Sequence, residues 1–134
     1  MDQYNNQEII EILKKYKSIA VVGMSKNPLR PSYQVANYMI NAGYKIYPVN
    51  PGHKEIIGLE CYPDLKSIPV KIGIVDVFRR PEHVDEIVEE SAQIKAKVMW
   101  FQFGVINHKA AIKAQDYRLK VIMDRCIKIE HRRI

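Results

Sequence analysis

Only two cysteines, Cys61 and Cys126, occur in these 134 residues, and they lie far apart. That leaves no disulfide framework, and four histidines without ligand spacing leave no metal site. No apolar run approaches the ~20 residues needed to span a bilayer, and no signal peptide opens the chain, so a reducing, cytoplasmic setting without membrane contact is expected. Acidic residues are the scarcer charge, 15 against 21 Lys and Arg, for a net charge of +6. Such a surplus suits an anionic partner and suits plain solubility equally, so the positions of the charges must decide. The length allows one domain, residues 1–134, with a core of its own, and no room for a second catalytic domain. No Ser-His-Asp, paired-carboxylate, helix-turn-helix, RRM or zinc pattern is present, so no catalytic residue and no nucleic-acid partner is assigned.

What is present starts at Ser18-Ile19-Ala20-Val21-Val22 and continues through Gly23-Met24-Ser25-Lys26-Asn27-Pro28-Leu29-Arg30-Pro31-Ser32. A short β-branched run, apolar almost throughout, reads as a central parallel strand buried on both faces. It collapses into a turn where Gly23 frees the backbone, and a helix follows. The unpaired N–H groups and dipole of that helix make the turn a natural place for an anion. Gly23 is accordingly expected to serve the ligand more than the fold, with Gly23→Val weakening binding and leaving the fold largely formed.

The rest of the chain repeats strand and helix. Ile9, Ile12, Leu13 and Tyr16 recur at helical spacing, predicting a bracing helix over 7–17. Strands are expected at Ser18–Val22, Lys45–Val49, Ile72–Val77, Lys97–Phe101 and Lys120–Met123, with a Gly- and Pro-rich loop from Asn50 to Pro69 holding a short helical turn near Asp64–Ser67. Helices are expected after Arg30, where Val35, Met39 and Ala42 share a face, from Pro81, and over His108–Tyr117. Connections too long for hairpins imply right-handed crossovers. The fold class is therefore α/β, a Rossmann-like three-layer fold with an open parallel five-stranded sheet and ligands at the strand C-termini. The loops at that edge carry Lys26, Arg30, His53, Lys54, Arg79, Arg80 and Arg125 against a single carboxylate, Asp124.

A dinucleotide dehydrogenase would show Gly-x-Gly-x-x-Gly after the first strand and an acidic residue closing the second. Here the second and third glycines are missing and the second strand ends Val49-Asn50-Pro51. Ser25, Asn27 and Arg30 offer side-chain hydrogen bonds instead, which suits a ligand richer in phosphate.

Five segments carry a specific likeness: Val22-Gly23-Met24-Ser25 with Pro28 and Arg30, Tyr47-Pro48-Val49-Asn50-Pro51, Val75-Asp76-Val77-Phe78-Arg79-Arg80-Pro81, Trp100-Phe101-Gln102-Phe103-Gly104, and Asp124-Arg125-Cys126. In that order, each at the C-terminal side of an expected strand, they resemble the single-domain CoA-binding proteins, related to the CoA-binding domain of the succinyl-CoA synthetase α subunit. The resemblance spans roughly residues 18–131. It implies coenzyme A, or an acyl-CoA, as the bound cofactor. Gly23, Met24, Ser25, Lys26, Asn27, Pro28, Arg30 and Ser32 would receive phosphates. Val49, Asn50, Pro51 and Lys54 would lie along the adenosine end, and Phe78, Gln102 and Gly104 would border pantetheine, with Arg79 and Arg80 near phosphate. The synthetase subunit has a second domain with a phosphorylated histidine, to which nothing in these residues corresponds, so ligation is not carried over.

Several residues keep two readings. Arg79-Arg80 either contact phosphate or form a solvated pair at a helix start, where cations oppose the dipole. Trp100 and Phe101 read as core, and Gln102, polar just past an apolar strand, as a site residue. Cys126 reads as a small buried hydrophobe, with a mixed disulfide to a CoA thiol as the alternative. Glu130-His131 reads as a solvent-facing pair in a charged tail. The function expected is a non-catalytic CoA-binding module. The alternatives are a sensor of NAD or another adenosine cofactor and a CoA-dependent enzyme component acting with a partner subunit.

Overall fold

The computed structural model describes residues 4–134. The chain runs α1 (Asn6–Lys15), β1 (Ser18–Val22), α2 (Pro31–Asn41) and β2 (Lys45–Val49), then a small hairpin, β3 (Glu55–Ile56) and β4 (Leu59–Glu60). It continues with β5 (Ile74–Val77), α3 (Val84–Gln93), β6 (Val98–Phe101), α4 (His108–Asp116), β7 (Lys120–Met123) and α5 (Ile127–His131). Five parallel strands form one sheet in the order β2-β1-β5-β6-β7. The doubly wound α/β arrangement expected from the alternation is what the chain adopts.

Helices cover both faces, and this is why the strands are apolar without alternation. Ala20, Val22, Val75, Val77, Met99 and Phe101 pack under α3 and α4. Ile19, Val21, Ile74, Val98, Trp100 and Ile122 pack against α1, α2 and α5. One residue breaks the pattern. Asp76, in register with Val21 and Trp100, is buried with neither carboxylate oxygen hydrogen-bonded. Burial without a partner lifts its carboxyl well above the usual carboxylate range, so it is held neutral.

The differences from expectation are local. α1 begins at Asn6 and stops at Lys15, because Asn5 and Glu8 form a reciprocal capping box at 2.9 Å and Tyr16 leaves the helical conformation. β5 and β6 start two residues and one residue late, at Ile74 and Val98. Pro81 opens a single 3-10 turn, Pro81–His83, before α3. The Asn50–Pro69 loop holds the expected 3-10 turn, Leu65–Ser67, and also the β3–β4 hairpin, too short to show a period. α5 was not foreseen. Its residue Glu130 is buried, taking Arg125 at 3.4 Å, and His131 sits edge-on between Tyr38 and Tyr44 with Nδ1 2.8 Å from the Tyr38 hydroxyl. The Glu130-His131 pair is thus a structural clamp, not a solvent-facing tail. No helix among the described residues is long and apolar enough to cross a membrane.

Candidate functional site

The turn after β1 is wound by its own side chains. The Ser25 N–H donates to Ser32 Oγ (2.8 Å), the Asn27 N–H to Ser25 Oγ (3.0 Å) and the Leu29 N–H to Asn27 Oδ1 (2.9 Å). Asn27 and the Ser25 hydroxyl are therefore scaffolding of the loop. Gly23, at φ +84°, donates its N–H to the Val49 carbonyl at 2.9 Å. A Cβ there would stand 2.4 Å from the Phe78 carbonyl oxygen and 2.8 Å from Arg79 Cδ. The glycine thus lets the exit of β1 pass the exit of β5, which corrects the expectation that it matters to the ligand and little to the fold. α2 then starts at Pro31 with no side-chain cap and no acidic residue in its first turn. Its N-terminal N–H groups and positive dipole end are left to whatever occupies the space before them.

That space is a cleft of about 610 Å³. Gly23, Ser25, Arg30 and Ser32 form one wall, Phe78, Arg79 and Arg80 the second, and Gln102 with Gly104 the third. Pro31, Val35, Pro81, Phe103, Val105, Cys126 and Ile129 complete it. Among the described residues, Arg30, Arg79 and Arg80 take part in no ion pair. The Asp124 carboxylate accepts from the Gly104 N–H at 2.8 Å, and Arg125 is turned to Glu130. Three unpaired guanidinium groups and a bare helix start therefore face a cleft with no acidic lining residue. The end near α5 is apolar, with Phe103 78 % exposed at its mouth.

Other expected residues lie outside the cleft. The Met24 side chain is in the core. Lys26, Asn27 and Pro28 are exposed on the far side of the turn, and Lys54 is exposed near the hairpin. Val49 and Pro51 line a separate cleft of about 120 Å³, which shares Arg79 with the first. The Asn50 amide is engaged, donating to the Met24 carbonyl at 3.0 Å and accepting from the Gly52 N–H at 2.9 Å, so it staples β2 to the β1 turn. Gln102 lines the cleft, yet its Oε1 accepts the buried Ile127 N–H at 3.0 Å and so starts α5. Trp100 is core as read, its Nε1–H donating to the Arg125 carbonyl at 2.8 Å.

Pro31, Val35, Val105 and Ile129 escaped notice because sequence reading assigns an apolar helix or loop residue to the core. Ile129 carried no signal at all while α5 was missed. Cys126 comes to the cleft as a half-buried free thiol at the start of α5, not as a core residue. Among the described residues no group of three or more His, Cys, Asp or Glu is placed to hold a metal.

Known proteins share this arrangement. The Bacillus subtilis (strain 168) protein YneT is 43 % identical over 131 residues, 98 % of this chain and 97 % of YneT. A hypothetical protein from Pyrococcus horikoshii OT3 superposes with a TM-score of 0.95 at 40 % identity, covering 99 % of this chain and 98 % of that one. Acetate--CoA ligase [ADP-forming] II of Archaeoglobus fulgidus is 34 % identical over 79 residues, 58 % of this chain, which spans just 12 % of the ligase. The profile of the CoA binding domain matches residues 17–132, and by the extent of that match the chain belongs to the CoA-binding domain family.

Proposed function

We propose that the chain binds coenzyme A or an acyl-CoA in the cleft at the C-terminal edge of the sheet, as a binding module without chemistry of its own. The observation that carries this reading is the convergence of unpaired Arg30, Arg79 and Arg80 on the uncapped start of α2. Cations at a helix N-terminus oppose its dipole, so a cluster there without acidic partners is stabilised by a bound anion. The 3′-phosphate and pyrophosphate of CoA supply that charge. The apolar end at Phe78, Phe103, Val105 and Ile129 suits pantetheine and a short acyl group. Arg79, common to both clefts, would let the adenosine end reach Val49 and Pro51. NAD is the weaker candidate, since β2 ends without a carboxylate and Asn50 is already engaged.

The test is a thermal melt series with equal concentrations of CoA, acetyl-CoA, dephospho-CoA, NAD and NADP. A ligand at a hundredfold excess over its Kd adds about 2.7 kcal/mol, several degrees for a domain of this size. CoA or acetyl-CoA should give the largest shift. A larger shift with NAD overturns the reading. The ADP-forming ligase relatives favour a second one, a CoA-dependent component of a larger enzyme, which a partner retained on the native protein would support.

A further inference from the structure

The opposite edge of the sheet carries a second concentration of charge, and every one of the five parallel strands begins at it with a lysine. In spatial order these are Lys45, Lys17, Lys71, Lys97 and Lys120. Backbone bonds hold neighbours side by side: the Lys45 N–H donates to the Lys17 carbonyl, Lys97 to Gly73 and Lys120 to Lys97. At a strand spacing of about 4.8 Å the row is roughly 19 Å long.

At its middle the row opens into a cleft of about 390 Å³ between the α1–β1 and α3–β6 corners. Lys15, Lys17, Lys71, Lys95 and Lys97 line it with no carboxylate among them, and none of the five forms an ion pair among the described residues. Its floor is Ile72 and Ile94, and the Tyr16 ring closes one side.

The backbone supplies an independent sign. Lys95 stands at φ +60°, just past the end of α3, in the left-handed conformation that favours glycine, and α2 uses Gly43 at the matching place. A cation is kept there against the local conformational preference. Helix C-termini attract cations, but the four helices ending at this edge supply only about half a negative charge each. The lysines exceed that by a wide margin.

We propose that this cleft is a second anion site, for a compact ligand bearing three or more phosphate groups. Lysine ammoniums act on phosphate as movable point charges, whereas the arginine forks and successive stacking rings expected of a nucleic-acid track are absent from this lining. The site is independent of the CoA reading.

Inorganic tripolyphosphate is the probe, titrated into the full chain at low salt and followed by amide NMR. Amides of Lys71, Gly73, Lys95 and Lys97 should shift, and Lys17→Gln/Lys71→Gln/Lys97→Gln should bind roughly tenfold or more weakly. Lys95→Gly separates ligand from fold: it should melt higher, relieved of its left-handed lysine, and still bind tripolyphosphate less well. Shifts confined to Gly23–Arg30 and Arg79–Arg80, or affinity unchanged in both variants, would overturn the proposal, as would tighter binding of a single-stranded oligonucleotide than of tripolyphosphate. The CoA-induced melt shift, read in the triple lysine variant, reports on the other edge separately.

Discussion

The two edges of the sheet are both cationic, and they differ in what the backbone does beneath the charge. At the C-terminal edge α2 begins, so Arg30 sits at a positive dipole end. At the N-terminal edge α1, α2, α3 and α4 finish, and the first lysines there are favoured by the peptide dipoles alone. A few arginines at the upper edge are therefore more telling than the same number of lysines at the lower, where only the excess asks for an explanation. The walls differ too. The upper cleft combines fixed guanidinium groups with an apolar end, and the lower sets flexible ammoniums around a shallow floor.

The sharpest way to break the comparison is Gly23→Val. A branched side chain must enter 2.4 Å from the Phe78 carbonyl at φ +84°, so both strand exits move apart. Left-handed strain and overpacking together predict a loss of roughly 2–5 kcal/mol. A chemical melt should show that loss without ligand, and an unchanged midpoint would return Gly23 to a role in binding alone.

Arg30→Ala should weaken CoA binding by about 1–3 kcal/mol, the range for a hydrogen bond to an ion. The loss should shrink in high salt, and binding of tripolyphosphate at the lower edge should be untouched. Calorimetry at two salt concentrations decides it. Equal CoA affinity in low salt would make Arg30 an ordinary solvated charge.

Asp76 lies between the edges and belongs to neither, which makes it a control for effects carried through the sheet. Its carboxyl is raised by burial, so the folded state keeps a proton that the unfolded chain releases above about pH 3.9. Stability from this group is complete below that pH and is lost as pH rises toward the folded value. Asp76→Asn removes the titration, and the variant should gain on the wild type progressively as pH rises. Denaturant melts at pH 4 and pH 7, roughly on either side of the start of that window, test it. An equal difference at both would mean that Asp76 finds a partner for its charge.

The smallest effect is expected from Lys17→Gln/Lys71→Gln/Lys97→Gln on stability. These side chains are exposed and unpaired, so the midpoint should stay within about 0.5 kcal/mol of wild type. A larger loss would show that the lysines stabilise the edge itself.

By itself the sequence determined the layers, because five apolar runs separated by amphipathic helices leave a parallel sheet as the economical way to bury both strand faces. It also determined the phosphate-type turn. Gly23, Ser25, Arg30, Arg79 and Arg80 stand beside strand ends, and strand ends in this topology share one edge. The hairpin of two-residue strands and the five-residue α5 were not legible, since neither is long enough to show a period. With α5 missing, Cys126 and Ile129 could not be brought to the cleft. Tertiary structure alone decided how polar groups were apportioned. Asn50 and Gln102 look like ligand-binding residues until Met24, Gly52 and Ile127 are seen to use them, and Gly23 looks like a ligand residue until Phe78 is seen beside it. A side chain's type follows from its codon, but its hydrogen-bond partner follows from which distant backbone the fold sets within 3 Å or so of it.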